Sequence, residues 1–328
     1  MSLAATMQAA CIDRVGGPIR IAALPVPRPG PTDVLVRVAA SGVNHVDLFV
    51  RSGAYRTHTP LPFVIGRDAV GSVVEVGAGV AAFAVGDRVW CNSLGHAGRQ
   101  GALAEYAVVA ADRLYRLPDA IDPEHAAVVL HTGATAQLGL ARQARLQAGE
   151  TLFVEGAGGG VGSAIVQMAR FMGARIIATA ARRDHDWCRQ CGADVLIDYH
   201  DDDRYEQARQ AAPEGIDVWW DTSGHNDFAA VLPLMRLGGR AIVMSGLRGG
   251  AASLPVGPMY TRDVSLHGFA ISNASVSDLA HAATAINRLL AAGRLNARIG
   301  ATFALHQTDQ AYAAMAAGQL AGRIVIRV

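Results

Sequence analysis

The chain has 328 residues, of which 51% are hydrophobic and 17% charged, and its formal net charge is +1. This length can bury more than one core, so we expect two domains. The small net charge gives no reason to expect nucleic acid or an anionic membrane surface as a partner. No apolar run reaches the roughly 20 residues that span a bilayer, and the N-terminus lacks a signal core. We therefore expect a cytoplasmic protein.

The first stretch of the chain, up to about residue 125, is rich in Val, Gly and Pro and contains short alternating apolar runs. Val34–Val38 and Gly71–Val76 are two such runs. This pattern predicts a small, strongly bent β-domain. Met1–Ala5 are expected to be a short extension ahead of a native start at Met7.

The segment from Leu152 to Gly162 predicts a buried strand, a glycine-rich turn and a helix, in that order. Ala157 replaces the first glycine of the usual G-x-G-x-x-G. Gly159 and Gly162 keep the positions that allow close approach of a pyrophosphate and close packing of the helix. The apolar residues that follow recur at helical spacing, so the first N–H groups of this helix can hold phosphate. We predict a dinucleotide site on Ala157, Gly158, Gly159, Gly160, Val161 and Gly162.

The middle of the chain alternates apolar strands with connections of crossover length. This pattern predicts a doubly wound parallel sheet that binds its ligand at the carboxyl ends of the strands. After the glycine-rich strand, the predicted strands are Arg175–Ala180, Asp194–Asp198, Ile216–Trp220, Arg240–Met244 and Ser265–Phe269.

The end of the second predicted strand indicates which dinucleotide is bound. An NAD site normally places an acid there, roughly 20 residues past the glycines, for the ribose hydroxyls. Here the position is Ala180, and Arg182 and Arg183 follow. With no carboxylate to repel a 2′-phosphate and two guanidinium groups to bind it, NADPH is favoured over NADH. The alternative is that both arginines only cover an exposed helix start.

The tail from about residue 273 predicts a helix, Asp278–Ala292, and a final strand, Arg323–Val328. We expect this tail to return to the first domain. The four cysteines are few and scattered, as in a reducing compartment. Cys188 and Cys191 form a C-x-x-C without a second pair, which favours a buried helix face over a zinc site.

Four motifs together give the chain a family resemblance, and their order and spacing extend over nearly its whole length. It resembles the zinc-independent quinone oxidoreductase (zeta-crystallin-like) group of the medium-chain dehydrogenase/reductase superfamily. The motifs are Gly42–Asp47, Gly66–Gly71, Gly86–Val89 and Gly156–Gly162.

The resemblance implies an α/β protein in which a GroES-like, β-rich catalytic domain is joined to a doubly wound parallel-sheet Rossmann domain, with the active site in the cleft between them. The changes of sequence pattern place the boundaries at 1–125 for the N-terminal part of the catalytic domain, 126–272 for the NADP-binding domain and 273–328 for the return. Members of the group commonly pair through the edge of the Rossmann sheet, so a homodimer through Ser265–Ile271 is expected.

Zinc-dependent members of the superfamily supply ligands that this chain replaces. Asn44 stands in place of a Cys, and Arg67-Asp68 in place of a His-Glu pair. Only His131 and Asp68 could contribute to a catalytic site, which needs three protein ligands. Cys91 stands alone where a structural zinc lobe would place several cysteines. We therefore expect no metal.

Without a Lewis acid for alcohol oxidation, the sequence favours hydride transfer from NADPH to a quinone or an α,β-unsaturated carbonyl compound. By resemblance, Asn44 lines the nicotinamide and substrate side of the cleft, and Tyr55 matches a tyrosine placed over the site. His131 is a departure from the group and could act as general acid. The alternatives are a turn-forming Asn44, a packing Tyr55 and a hydrogen-bonded interdomain His131. His96 is expected to be a solvated loop histidine.

Further cofactor contacts are implied by the resemblance or by position after the later strands, and a purely structural role remains an alternative for each. These residues are Thr135, Ser223, Ser245, Gly246, Phe269 and Arg323. Two other function classes also stay open. One is a trans-acting enoyl reductase of polyketide or acyl-thioester metabolism, and the other is a non-catalytic NADPH-binding protein.

Overall fold

The computed structural model describes residues 3–247, 251–318 and 320–328, so Met1 and Ser2 of the expected N-terminal extension lie outside the described residues. The chain divides into two compact units, Met1–His131 with Ser275–Val328, and Thr132–Ala274. Within the described residues, no helix is both long and apolar enough to cross a membrane.

The elements follow one another along the chain in three groups. The first group is β1 Thr6–Ile12, β2 Arg20–Pro25, β3 Asp33–Gly42, α1 His45–Ser52, β4 Phe63–Val64, β5 Ala69–Val76, β6 Arg88–Cys91, β7 Tyr106–Ala110, β8 Tyr115–Arg116, α2 Pro123–Ala127 and α3 Leu130–Gln137. The second is β9 Thr151–Glu155, α4 Gly160–Phe171, β10 Arg175–Ala180, α5 His185–Cys191, β11 Val195–Asp198, α6 Arg204–Ala211, β12 Ile216–Asp221, α7 Phe228–Val231, β13 Met235–Val243, α8 Val256–Tyr260 and β14 Ser265–Gly268. The last is α9 Val276–Ala291, β15 Ile299–Ala304, α10 Thr308–Ala317 and β16 Arg323–Arg327.

The first unit is built on two sheets of short strands. One sheet has the order β2-β1-β4, and the other has the order β15-β16-β3-β5-β6-β8, with β7 also paired to β3. The ten-residue β3 is the centre of the larger sheet, and its apolar side chains, such as Val34, Leu35 and Val36, are buried. The C-terminal strand β16 pairs antiparallel with β3 and places Val325 opposite Gly42. Residues from both ends of the chain therefore meet beside the start of α1.

The second unit contains a parallel sheet of six described strands in the order β11-β10-β9-β12-β13-β14. The glycine-rich strand β9 pairs in parallel with β10 on one side and with β12 on the other. The strand order reverses between these neighbours, and ligands of such sheets bind at this switch point. The predicted fold class, a GroES-like unit plus a doubly wound parallel sheet, is confirmed.

The strands of the second unit differ from the sequence prediction chiefly in β13. This strand begins at Met235, five residues before the predicted Arg240. The register of β13 against β12 shifts between Ile216 and Val218. The irregularity lies near Gly238 and Gly239, which break the apolar pattern that sequence periodicity relies on. By contrast, the buried helix face predicted for Cys188 and Cys191 is confirmed, because both are buried in α5.

Candidate functional site

The glycine-rich turn of the second unit has the geometry of a phosphate-binding loop. Gly156 follows β9 with φ of +80°, and α4 begins at Gly160 with Gly159 as its N-cap. A Cβ atom at Gly162 would lie 2.2 Å from the carbonyl oxygen of Gly156, so only glycine lets α4 pack this closely on the turn. No side chain among the described residues caps this helix by a hydrogen bond. Its first N–H groups therefore suit an anionic ligand, and the turn fits a dinucleotide pyrophosphate.

The sheet edge beside this turn carries carboxylates that the sequence analysis did not anticipate. The parallel register places Asp198 of β11 directly beside Ala180 of β10. A Cβ atom at Gly158 would lie 2.9 Å from an Asp184 carboxylate oxygen. The expectation that no carboxylate stands at this edge was wrong. The acids come from outside the end of β10: Asp198 belongs to the neighbouring strand β11, and Asp184 to the turn that follows β10.

Arg182 and Arg183 lie at this edge, and both are largely exposed. The Nε atom of Arg182 donates to an Asp198 carboxylate oxygen at 2.9 Å, and its Nη2 lies 3.5 Å from an Asp201 oxygen. The Nε atom of Arg183 lies 3.8 Å from the Asp184 carboxylate. The cations proposed for a 2′-phosphate therefore already have acidic neighbours.

Glu155, the last residue of β9, is a buried acid next to the turn that the sequence analysis passed over. It accepts hydrogen bonds from the Trp219 indole at 2.7 Å and from the Tyr205 hydroxyl at 3.2 Å. Burial, together with the charge of Asp221, raises the pKa of Glu155 to about 7. The strand that leads into the cofactor turn thus ends in a carboxyl group that titrates near neutral pH.

The remaining predicted cofactor residues of the second unit occupy loops after its strands, except Thr135, which is buried in α3. The backbone N–H of Ser223 donates to Asp221 at 2.6 Å, and the Ser245 hydroxyl donates to the Asp221 carbonyl at 3.4 Å. The Phe269 ring packs edge-on against Trp220 with centroids 5.9 Å apart. Gly246 has φ of +138°, a backbone region that favours glycine.

In the first unit, Asn44 is the centre of a buried hydrogen-bond network at the start of α1. Its side-chain amide donates to an Asp68 carboxylate oxygen at 2.8 Å and to the Gly42 carbonyl at 3.2 Å. Arg323 of β16 donates to the Asn44 amide oxygen at 2.6 Å.

The Asn44 backbone N–H donates to Asp47 at 2.9 Å, and Asp47 also accepts from the Tyr312 hydroxyl at 2.9 Å. These contacts fix the orientation of the Asn44 amide.

Burial sets the protonation of the two acids in this network. It raises the pKa of Asp68 to about 8, against the lowering effect of the Asn44 hydrogen bond. It also raises the pKa of Asp47 to about 6, although the Asn44 N–H and the Arg67 charge oppose this. Asp68 therefore holds a proton at neutral pH while Asp47 is mostly ionised. A protonated carboxyl group can donate a hydrogen bond, which a carboxylate cannot.

His131 lies beside Asp68, with its Nδ1 atom 3.8 Å from a carboxyl oxygen of that residue. The imidazole also makes a hydrogen bond with the backbone of Asn92. Burial and the charges of Arg67 and Arg323 hold the pKa of His131 well below its usual value. The ring is therefore neutral at neutral pH, and Asp68, rather than an imidazolium ion, is the protonated group here. The structure thus brings together three predicted site residues. Asn44 bonds Asp68, His131 lies beside Asp68, and Arg323 bonds Asn44.

Tyr55 lies in the segment after α1 and is half-buried. Its backbone N–H donates to the Phe49 carbonyl at 2.9 Å. The Tyr55 ring packs at 5.8 Å from the imidazole of His96, measured between centroids. The prediction of a solvated loop histidine at His96 was wrong, because the ring is half-buried against Tyr55 and burial lowers its pKa to about 4. The contacts that hold Tyr55 are therefore with Phe49 and His96 rather than with the Asn44 network.

The donor set around Asn44 does not fit a zinc ion. The amide of Asn44 is held by Asp68 and Arg323, and the buried Arg67 adds positive charge to the same cluster. Across the residues that the structure describes, no group of three or more His, Cys, Asp or Glu side chains is arranged to hold a metal. A catalytic zinc requires three such ligands.

The residues that sequence reasoning missed differ in how far a signal was present. Asp47, three residues after Asn44, follows the pattern of an acid in the first turn of a helix, which could have marked it. Tyr312 bonds Asp47 across 265 residues of sequence, and no local pattern predicts that contact. Asp198 could have been found only by aligning β11 with β10.

Comparisons with known proteins agree with this architecture. Residues 30–119 match the alcohol dehydrogenase GroES-like domain, and residues 160–288 match the zinc-binding dehydrogenase family. The quinone oxidoreductase of Rattus norvegicus is 32% identical over 88% of this chain and 86% of its own length. The human quinone oxidoreductase is 31% identical over 93% of both chains.

Solved structures give the same result at the level of the fold. An alcohol dehydrogenase superfamily protein from Novosphingobium aromaticivorans superimposes with a TM-score of 0.90 and 31% identity, covering 98% of this chain and 100% of the other. A mycobacterial protein solved in complex with NADPH has a TM-score of 0.86 and 28% identity over 98% and 100% of the two chains. This chain is an oxidoreductase that belongs to the quinone oxidoreductase group of the medium-chain dehydrogenase/reductase superfamily.

Proposed function

We propose that the protein is an NADPH-dependent reductase that transfers a hydride to quinones or α,β-unsaturated carbonyl compounds without a catalytic metal. The observation that carries this proposal is the network in which Asp68 and Arg323 hold the Asn44 amide, at the position where zinc-dependent relatives have a ligand. The similarity to quinone oxidoreductases supports the same substrate class.

The second unit supplies the groups that would hold the dinucleotide. The glycine-rich turn and the first N–H groups of α4 suit its pyrophosphate. Arg182 and Arg183 offer charge-assisted hydrogen bonds to a 2′-phosphate, and a similar structure solved with NADPH supports that choice. Thr135, Ser223, Ser245, Gly246 and Phe269 are proposed to contact the rest of the cofactor. When bound, the reduced nicotinamide supplies the hydride.

The first unit supplies hydrogen-bond donors for the acceptor. Negative charge accumulates on the oxygen of a quinone or enone when it receives a hydride, and preorganised donors stabilise that charge. The Tyr55 hydroxyl is the donor we assign to this task. Both N–H groups of the Asn44 amide are held by Asp68 and Gly42, so we assign Asn44 the role of positioning Asp68, with Arg323 holding the amide oxygen. The neutral His131 ring lies next to the protonated Asp68, so this pair is a source for the proton that an enolate requires.

Assembly and location belong to the same proposal. The strand β14 forms one edge of the parallel sheet, and a second copy could extend the sheet there. We propose a homodimer through this edge. The four cysteines are buried and unbridged, which is in keeping with a cytoplasmic enzyme.

A rapid-mixing screen tests the proposal directly. NADPH oxidation would be followed after mixing with 1,4-benzoquinone, an enone, an enal and an enoyl thioester, with ethanol and NADP⁺ as the reverse-direction control. We expect fast turnover with the quinone or the enone, none with ethanol, and no loss of activity after chelation. NADP⁺-dependent ethanol oxidation, or about one zinc per chain by elemental analysis, would contradict the proposal. A preference for the thioester would instead assign the protein to acyl-thioester reduction.

A further inference from the structure

The sheet edge that would receive the adenosine ribose carries an acid from the neighbouring strand. Dinucleotide folds place the ribose beside the end of the second strand, where an acid selects NAD and an arginine accommodates NADP. In this chain that strand ends at Ala180, and the cross-strand register sets Asp198 of β11 opposite it. The backbone N–H of Tyr199 donates to the Ala180 carbonyl at 3.4 Å, so the two chain segments remain together past the ladder.

The Asp198 carboxylate is fully engaged at this edge. One oxygen accepts the Nε donor of Arg182 at 2.9 Å, and the other accepts from the backbone N–H and the ring Nδ1 of His200 at 3.0 and 2.9 Å. These hydrogen bonds, the backbone one first, lower the pKa of Asp198 to about 2. Asp201 lies 3.5 Å from Arg182 Nη2 and adds a second acid. Asp198 therefore remains ionised at neutral pH and well below it.

A guanidinium group is small and rigid, so two anions bound to it are close to each other. A phosphate held by the remaining donors of Arg182 would have its oxygens within about 6 Å of the carboxylate on Nε. Charges of the same sign at that distance repel appreciably, even near the surface. The same Arg182 cannot attract a 2′-phosphate without bringing it against Asp198.

We infer that Asp198 is a specificity-determining residue, whose carboxylate opposes the 2′-phosphate at Arg182 and limits the preference for NADPH over NADH. This inference rests on the proposed function, because it concerns the site assigned to NADPH. It also differs from the simplest role of a salt bridge, in which Asp198 would hold Arg182 ready for the phosphate. The two roles predict opposite signs for the same substitution.

The experiment is a calorimetric titration of the full-length protein with NADPH, NADH and 2′,5′-ADP. In Asp198→Asn the amide oxygen can still accept the His200 N–H, so local structure is retained. We expect this variant to bind NADPH and 2′,5′-ADP about three- to tenfold more tightly than the wild type, with NADH affinity changed by less than about twofold. Asp201→Asn should give a smaller change of the same sign, because its carboxylate is farther from Arg182.

Two controls separate charge repulsion from other causes. Asp186→Asn removes an equal charge from α5, where the exposed Asp186 pairs with Arg189, and should leave all three affinities unchanged. In an Arg182→Ala background, Asp198→Asn should still tighten 2′,5′-ADP binding by at least as much, since the acid then has no guanidinium group beside it. If Asp198 instead positions Arg182, the single variant would bind NADPH more weakly, and its effect would vanish in that background.

The results also distinguish this inference from the proposed function. A wild type that binds NADPH, with no gain in Asp198→Asn, overturns the inference and leaves the function intact. A wild type that binds neither NADPH nor NADH overturns both.

Discussion

Asp68 in the first unit and Asp198 in the second are both aspartates bonded to nitrogen donors, yet their charge states differ. Asp68 is completely buried and accepts from the neutral Asn44 amide, and its pKa rises to about 8. Asp198 is 7% exposed, but its partners Arg182 and His200 are exposed cations or N–H donors, and its pKa falls to about 2. Hydrogen bonding alone therefore does not decide whether an aspartate is ionised. The two aspartates differ in how far their hydrogen-bond partners are exposed to water.

This difference separates two tasks. A buried acid that keeps its proton can donate a hydrogen bond or a proton to a reacting oxygen. A carboxylate that stays ionised at an edge lined by exposed arginines instead contributes a fixed charge, which tunes the affinity for a charged ligand. The first region is suited to the chemistry of the acceptor, and the second to the choice of cofactor.

The largest expected effect tests whether the buried region performs the chemistry. Tyr55→Phe and His131→Ala should each lower kcat by about 10²-fold, the scale of general acid catalysis, and should leave NADPH affinity nearly unchanged. Steady-state kinetics with 1,4-benzoquinone and an enone would measure both parameters. Tyr260→Phe, which removes a hydroxyl from an exposed tyrosine, is the matched control. An unchanged kcat would remove that residue from the mechanism, and a loss of stability with normal kcat would assign it to packing.

Sequence predicted much of this fold because its main signals are local. The strand, turn and helix around Gly156–Gly162 follow from glycine spacing and apolar periodicity. The structure contains all three, as β9, the glycine-rich turn and α4. The tail helix, predicted at Asp278–Ala292, spans Val276–Ala291. In β13 the apolar pattern did not mark the start of the strand. The strand runs through Gly238 and Gly239, which have no side chains to continue that pattern.

The charge states of the candidate sites could not be predicted in the same way. Asn44 and Arg323 are 279 residues apart, and their hydrogen bond depends on the pairing of β16 with β3. The proton on Asp68 depends on complete burial, which sequence does not display for a single polar residue. Asp198 reaches the end of β10 only through the register between two strands. Long-range pairing and burial, rather than residue identity, account for what was missed.

The exposed region is tested next, through the two arginines that we assign to the 2′-phosphate. The double variant Arg182→Ala/Arg183→Ala should bind NADPH at least about tenfold more weakly, because each lost charge-assisted hydrogen bond is expected to reduce affinity. NADH affinity and kcat at saturating NADPH should remain close to wild type. Arg189→Ala, in the helix α5 that follows these arginines and paired with Asp186, is the control. Equal affinity of the wild type for NADPH and NADH would contradict the assignment of these arginines.

A smaller effect is expected in the pH dependence of stability. The raised pKa of Asp68 means that the folded state keeps a proton that the unfolded state loses above about pH 4. Stability is therefore highest below that pH for this group and is lost as pH rises towards 8. The charges of Arg323 and Arg67 oppose the rise in the pKa of Asp68 and moderate the change, whereas the charge of Asp47 adds to it. His131 also faces this carboxyl group, as a neutral ring. Asp68→Asn should remove this loss of stability between pH 5 and 8, measured by urea unfolding against the wild type.

In that experiment Asp186→Asn is again the control, since its carboxylate is exposed and should leave the pH profile as it is in the wild type. If the profiles of Asp68→Asn and the wild type run parallel, Asp68 is ionised in the folded protein, and the contrast between the two regions fails.

The smallest expected effect comes from salt, which should act on one region and not on the other. Mobile ions screen charges that contact solvent, and the Debye length falls from about 10 Å at 0.1 M to about 3 Å at 1 M. If the exposed Arg182 and Arg183 set the ratio of NADPH to NADH affinity, as we propose, that ratio should fall by about threefold between 0.05 and 0.5 M NaCl. The difference in pH dependence between the wild type and Asp68→Asn arises from buried groups and should change little over the same range. Calorimetry and urea unfolding at the two salt concentrations would measure both quantities on the same preparations. If salt reduced both equally, solvent would reach the Asn44 network, and its acids would titrate as surface groups do.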